Sequence, residues 1–251
     1  MQSSVTAGAT WHPRSDRKAY IVWMAVVWAG TLAGFGLDFS RYFGETPAPP
    51  AILHIHGAVY AAWLGLVTVQ VFLVEKGDIR LHKNLGWVTA VISAVMVPLG
   101  VIAALVDMAR QVSHPDYAPQ FLGLEFIDMV GFAIFIAAGL LWRKDPAAHK
   151  RLMILSALAL VDASFSRAWQ LTIKVVPPGP FGWWMTYFLG TTLMLIAMAA
   201  WDLWRRRRIH PTVLFGMAVL WTGEITSAVL QFSPGWKTAM VALVKAWAWT
   251  G

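Results

Sequence analysis

Histidines near the ends of long apolar runs are the residues of this sequence best suited to chemistry. Five of the seven histidines have this placement: His54, His56, His82, His114 and His149. The other two, His12 and His210, lie in basic segments and are expected to be solvated. A haem b in a membrane is held by two axial imidazoles from facing helices at one depth. The chain order predicts the first two histidines and His114 at one membrane face, and His82 and His149 at the other.

Two haem sites follow from this alternation, one in each leaflet, and together they would form an electron path across the bilayer. The outer haem takes His114 with either His56 or His54 as its second axial ligand. The inner haem takes His82 and His149. We expect the inner pair to be the better defined of the two, because His114 lies in a loop flanked by proline.

Basic residues follow both inner histidines. Segments 81–86 and 148–153 each contain a histidine, then one or two basic residues, then a leucine and the start of an apolar run. Lys83, Lys150 and Arg151 are therefore suited to pair with haem propionates. They suit equally well the role of positive anchors at the membrane surface, which requires no haem.

A second arrangement uses the outer leaflet alone. His54, His56, Glu125, Asp128 and Asp162 together offer the imidazole and carboxylate ligands that zinc, copper or non-haem iron accept. Residues two apart lie about 200° apart around a regular helix. Both histidines therefore face one metal only if the second span starts after His56. Such a site predicts a metal-dependent enzyme that acts on a lipid-like substrate, with a carboxylate as the base.

Ionisable side chains inside apolar runs are functional candidates, because an unpaired charge in hydrocarbon is costly. Five of them lie well inside the spans: Glu125, Asp128, Asp162, Arg167 and Glu224. One interpretation is an ion-pair network around Arg167 that fixes helix packing in an accessory subunit of a membrane complex. The other is a polar cavity open to the outer face, in a transporter whose carboxylates carry protons.

The elements that position these residues are membrane spans. The sequence is 58% hydrophobic and only 13% charged, whereas soluble domains are about half apolar and a quarter charged. Apolar runs near the twenty residues that cross a bilayer occur at 19–38, 51–74, 85–106, 121–142, 152–171, 181–203 and 211–231. We predict an all-α polytopic membrane protein, a single domain over 1–251, with 234–251 as an interfacial tail. Small residues such as Gly30 and Gly34 in the first span predict close helix packing, either within the chain or to a partner.

Basic residues orient these spans. Most of the 20 lysines and arginines fall on the side of the N-terminus: Arg14, Arg17, Lys18, Lys76, Arg80, Lys83, Arg143, Lys144, Lys150, Arg151 and Arg205 to Arg208. By the positive-inside rule this side is cytoplasmic and the C-terminus is outside. The net charge of +7 is thus an orientation signal, and nucleic acid is not expected as a partner.

Other chemistries are excluded by composition or motif. The sequence has no cysteine, which excludes thiolate metal sites, iron–sulfur clusters, covalent c-type haem and a cysteine nucleophile. It has no glycine-rich phosphate loop, no His-Glu-x-x-His and no Gly-x-Ser-x-Gly. The last span contains no lysine for a retinal Schiff base.

The alternating histidines resemble the transmembrane di-haem b cytochromes of the ascorbate-reducible type, whose four core helices carry ligands in this order. The two histidine–basic segments, with His-Ile-His-Gly and Gln70 in span two, also resemble uncharacterised bacterial multi-pass membrane proteins with a Leu-His-basic-x-Leu-Gly pattern. The resemblance covers about 52–153. It implies haem b, electron transport in a bacterial inner membrane, and a quinone or another membrane redox protein as partner. The chain departs from those cytochromes, which usually have six spans and bury their ligands deeper in the helices.

Overall fold

Seven long apolar helices make up most of the protein. The computed structural model describes residues 17–114, 117–172 and 176–250, and every regular element within those ranges is helical. Seven of the helices are long and apolar enough to cross a membrane, since about 20 residues suffice for the hydrocarbon core. The prediction of an all-α integral membrane protein with seven spans is confirmed.

The helices begin and end close to the predicted spans. They are α1 (Arg17–Gly44), α2 (Ala51–Lys76), α3 (Ile79–Arg110), α4 (Leu122–Leu141), α5 (Pro146–Thr172), α6 (Pro180–Arg206), α7 (Pro211–Gln231) and α8 (Pro234–Thr250), with a 3-10 turn over Pro119–Phe121. The last four helices each begin at a proline. Proline suits a first helical position, where its missing N–H would have no partner in the helix.

The start of α3 lies more than a turn before the predicted span. Gly77 ends α2 in the left-handed conformation, with φ of 84°, and the chain reverses at once. The Asp78 side chain then accepts a hydrogen bond from Leu81 N over 3.0 Å and caps α3. His82 is therefore inside α3 rather than before it, because the cap and not the apolar run decides where the helix begins.

The start of α5 is extended in the same way. Asp145 accepts hydrogen bonds from Ala147 N at 2.8 Å and Ala148 N at 3.2 Å, so it satisfies backbone donors that have no helical partner. The helix begins at Pro146, and His149 lies in its first turn.

Helix α5 is the centre of the bundle. It packs against α1, α4, α6 and α7, and 61% of its span is buried, compared with 22% for α1 and for α2. The Phe165 ring fills the spaces left by two glycines. A Cβ on Gly30 of α1 would lie 1.6 Å from this ring, and one on Gly190 of α6 would lie 2.6 Å from it. Both positions therefore need a residue without a side chain.

The glycines of α1 pack within the chain. A Cβ on Gly34 would lie 2.0 Å from the backbone oxygen of Ser164 in α5, whereas one on Gly36 would meet nothing within 4 Å. The close packing predicted for this span is thus present at Gly30 and Gly34, and its partner is α5 of the same chain.

The C-terminal segment forms α8, which packs on α3. Met240 and Val244 are buried with Leu105 and Met108 of α3 in a second apolar cluster. Trp236 Nε1 donates to the backbone oxygen of Gln120 over 3.0 Å. The helix has 17 residues, fewer than the other helices and too few to qualify as a span.

Basic side chains gather at one end of the bundle, which we call the basic end. It contains the ends of α2, α4 and α6 and the starts of α3, α5 and α7, with Lys76, Arg80, Lys83, Arg143, Lys144, Lys150, Arg151 and Arg205 to Arg208. We call the other end the opposite end. Of the residues used to predict orientation, Arg14 lies outside the described residues.

Candidate functional site

Two imidazoles face each other at the basic end. His82 near the start of α3 and His149 in the first turn of α5 have ring centroids 6.2 Å apart and ring planes at 81°. Both rings are partly buried. The structure therefore brings together the inner histidine pair that the sequence predicts, although α4 separates α3 from α5 in the sequence.

His149 is oriented by the end of α4. Its Nδ1 lies 2.8 Å from the backbone oxygen of Gly139. A carbonyl oxygen only accepts hydrogen bonds, so Nδ1 carries the proton and donates it. Nε2 of the neutral ring is then left with a free lone pair, the usual state of a histidine that binds a metal through Nε2.

Gln70 of α2 orients His82. This amide is buried, and in one of its two orientations it satisfies both neighbouring backbone groups. Its nitrogen then donates to the His82 carbonyl oxygen over 3.0 Å, and its oxygen accepts from Gly86 N over 2.8 Å. The same nitrogen donates to Nδ1 of His82. This network assigns Nδ1 of His82 as an acceptor and places the proton of the neutral ring on Nε2.

The spacing of the pair fits two axial ligands of one iron. Metal–imidazole bonds of about 2 Å on each side place the ring centroids about 6 Å apart. His149 already has the tautomer that such a ligand needs. To hold a metal through Nε2, His82 would need the other tautomer, with Nδ1–H donating to the Gln70 oxygen in the other orientation of this amide.

Basic side chains near the pair have separate roles. Lys83 is exposed next to His82 and remains suited to a propionate. Lys150 Nζ lies 4.6 Å from the centre of the Tyr20 ring. Arg151, which the sequence also assigned to a propionate, is only 2% exposed and lies 2.5 Å from Asp202 of α6. That assignment is corrected: the guanidinium serves the packing of α5 on α6, because a buried charge requires a partner.

The outer histidines occupy different environments. His54 is exposed, and its ring centroid lies 5.4 Å from that of Tyr42 and 5.7 Å from that of Phe43. The His56 ring is tilted against that of Tyr60, with centroids 4.1 Å apart, and its buried Nδ1 has no hydrogen-bond partner among the described residues. His114 is exposed in the turn after α3. The outer haem therefore stays a prediction.

The outer metal site lacks the backbone that it requires. Helix α2 is regular from Ala51, so His54 and His56 both lie within it and point in different directions. Within residues 17–114, 117–172 and 176–250, no three histidine, aspartate or glutamate side chains form a group that could hold a metal ion.

The carboxylates of that alternative belong to two arrangements. Glu125 is partly buried, and its Oε2 has no hydrogen-bond partner among the described residues. Arg167 donates to the Ala163 oxygen over 2.6 Å and lies 5.0 Å from the Phe35 ring centre, so the predicted ion-pair network around it stays a prediction. Asp128 of α4 and Asp162 of α5 line one cavity.

An ion-pair network at the basic end was missed by the sequence analysis. Asp202 receives Nε and Nη2 of Arg151 at 3.3 and 2.5 Å, Arg206 Nε at 3.7 Å and His210 N at 3.0 Å. His210 caps α7, accepting from Thr212 N over 3.2 Å. Burial, together with Arg151 and Arg206, lowers the pKa of His210 to about 4. His210 is thus half-buried rather than solvated. Asp202, an acidic residue inside an apolar run, was the feature of the sequence that could have indicated this network.

Comparisons with known proteins do not indicate a function for this chain. Neither protein-family models, nor curated proteins, nor solved structures give a match to this chain. The architecture and the two polar clusters are therefore the basis for any functional conclusion.

Proposed function

We propose that this chain is a haem b-binding electron-transfer protein of the membrane, in which His82 and His149 would hold the haem. The observation that carries the proposal is the pair of facing imidazoles, 6.2 Å apart, contributed by α3 and α5. The distance between the rings and the hydrogen bond from His149 to a backbone oxygen are both typical of imidazoles that bind a metal.

The chain's own residues hold the two ligands in place. Gly139 fixes the ring of His149 and leaves its Nε2 as the acceptor. Gln70 fixes His82 from the neighbouring helix α2. The Arg151–Asp202 ion pair anchors the start of α5, two residues from His149. When bound, haem b supplies an iron that takes up and releases one electron.

The position of the pair suggests a setting. The basic end corresponds to the cytoplasmic side under the positive-inside rule, and we assign the protein to a bacterial inner membrane with this end inside. Lys83 is the described residue best placed to pair with a propionate. The electron partner is a quinone or another membrane redox protein.

A visible absorbance spectrum tests the proposal. Protein purified from haem-replete cells should show a Soret band that shifts on reduction with dithionite. His149→Ala and His82→Ala should each remove the reducible band. His210→Asn is the matched control, because it changes a histidine at the same end that is outside the pair, and it should keep the spectrum. A colourless wild-type preparation, or an unchanged spectrum in His149→Ala, would overturn the proposal.

Folding must be followed alongside the spectrum, because His149 lies near a buried ion pair. Helical content by circular dichroism and a single peak on size exclusion separate loss of haem from loss of structure. Free imidazole should restore the band in His149→Ala if the cavity remains intact. A second haem is tested by His56→Ala, which should remove part of the absorbance only if the outer site exists.

A further inference from the structure

A cavity of about 430 Å³ lies among α4, α5, α6 and α7. Its polar lining includes Asp128, Asp162 and Glu224. The cavity is separate from the imidazole pair: Asp162 follows His149 by 13 positions on α5, which corresponds to about 20 Å along the helix. The volume falls in the range of small-molecule sites, about 300–1,000 Å³.

The three acids are not balanced by bases within the cavity. No lysine, arginine or histidine is among the described residues that line it. Glu224, which is 4% exposed, is held by Trp184 Nε1 at 2.8 Å and Thr192 Oγ1 at 3.2 Å. Asp128 and Asp162 come from different helices and line the same cavity. Adjacent carboxylates repel when both are ionised, and a cation placed between them removes that repulsion.

Two buried polar atoms at the cavity have no hydrogen-bond partner among the described residues. Oδ1 of Asp162 and Oγ1 of Thr191 make no hydrogen bond to the described residues, and both residues line the cavity. Asp162 is 4% exposed and Thr191 is 1% exposed. A buried polar atom without a hydrogen bond costs about 1–3 kcal/mol, so an acceptor carboxylate and a hydroxyl at one cavity point to a ligand that hydrogen-bonds to them.

The rest of the cavity lining is mostly apolar, and the cavity opens towards the outer surface of the helix bundle. Val130 and Ile134 of α4 and Phe215 of α7 line the cavity and are exposed on the outside of the bundle. This surface faces hydrocarbon in a membrane, because the helices that carry it are spans. A ligand therefore enters from the lipid and brings an apolar body with it.

From these observations we propose that this cavity binds a lipophilic organic cation, an amine whose ammonium group lies between the carboxylates and whose apolar body fills the outer part. Asp162 and Glu224 supply the charge, and Thr191 Oγ1 is an additional polar contact. An anion is disfavoured by three acids without a base. A metal ion is disfavoured because no three acidic or imidazole side chains of the described residues converge on one point. The proposal does not depend on haem.

Two probes of the same shape test the charge requirement. Protein in lipid nanodiscs is titrated with 1-adamantylammonium and with 1-adamantanol, and binding is followed by the thermal unfolding midpoint and by isothermal titration calorimetry. The wild type should bind the ammonium at least about tenfold tighter than the alcohol, because only the cation gains from the carboxylates. Equal affinity for the two probes would overturn the proposal, and would instead favour a neutral lipid.

Isosteric variants test the residues. Asp162→Asn and Glu224→Gln should each reduce ammonium affinity about tenfold or more and leave alcohol affinity unchanged. Glu125→Gln is the matched control, a partly buried acid one turn from Asp128 that does not line the cavity, and it should change affinity less than about twofold. If Asp162→Asn fails to purify as a single species, Glu224→Gln carries the test. Wild-type ammonium affinity in a folded Glu224→Gln protein would overturn the assignment.

Discussion

The imidazole pair and the acidic cavity are both polar clusters inside an apolar bundle, and they differ in how completely they are satisfied. At the basic end, each ring has a hydrogen-bonding partner at Nδ1, contributed by Gly139 or Gln70. In the cavity, Asp162 and Thr191 have atoms without partners among the described residues. The first cluster is built to hold two side chains in position, whereas the second is built around a space. Helix α5 carries one residue of each.

The largest effect is expected from the ion pair that anchors α5 beside His149. Arg151→Ala removes the closest cationic partner of buried Asp202 and leaves it with the longer contact from Arg206 and the His210 N–H, and it should lower the free energy of unfolding by about 3 kcal/mol. Chemical denaturation in detergent, followed by circular dichroism, measures this. Arg143→Ala, at an exposed position of the same end, should stay within about 0.5 kcal/mol of wild type. A similar small change in Arg151→Ala would contradict the anchoring role.

Gln70 tests whether the imidazole pair is held by its neighbours. Gln70→Leu removes the partner of His82 Nδ1, and should weaken haem retention about 10–100-fold and shift the Soret band. Haem transfer to apomyoglobin measures retention. Thr68→Val is the control on the same helix, because Thr68 bonds Trp28 of α1 rather than His82. Unchanged retention in Gln70→Leu would show that Gln70 does not position the ligand.

A substitution at Gly34 should affect the acidic cavity and not the imidazole pair, because Gly34 contacts α5 at Ser164, two residues after Asp162. Gly34→Ala places a Cβ against the Ser164 backbone and should cost about 1–3 kcal/mol through overpacking. Adamantylammonium binding should fall while the haem spectrum stays. Gly36→Ala, which meets nothing within 4 Å, is the control for thermal unfolding. Equal unfolding midpoints for the two variants would rule out a tight α1–α5 contact.

A pH dependence of stability is expected at His210, which is half-buried. Its pKa of about 4 in the folded protein lies below the value of about 6.5 expected when unfolded. The unfolded state therefore takes up the proton first, so this contribution to stability is present above about pH 6.5 and is lost as the pH falls towards 4. His210→Asn keeps a capping side chain and should show a smaller drop in unfolding midpoint over that range. Parallel pH profiles would contradict the assignment.

Much of the architecture could be predicted because a bilayer imposes simple requirements. Apolar runs of about 20 residues and basic connections follow from the cost of exposing polar groups to hydrocarbon. The pairing of His82 with His149 was also within reach, since alternation of the spans assigns both to one end. The starts of the helices were harder to predict, because Asp78 and Asp145 cap α3 and α5 outside the apolar runs.

The sequence by itself determined the seven spans, the grouping of bases at one end and the identity of the facing imidazoles. Only the tertiary structure decided that Arg151 pairs with Asp202, that His54 and His56 diverge on a regular helix, and that Asp128, Asp162 and Glu224 line one cavity. Hydropathy depends on composition along one helix, and the spans can therefore be predicted from the sequence. The contacts between side chains depend on the rotation and spacing of neighbouring helices. Contacts such as those of Gly30 and Gly190 with Phe165 determine that rotation and spacing.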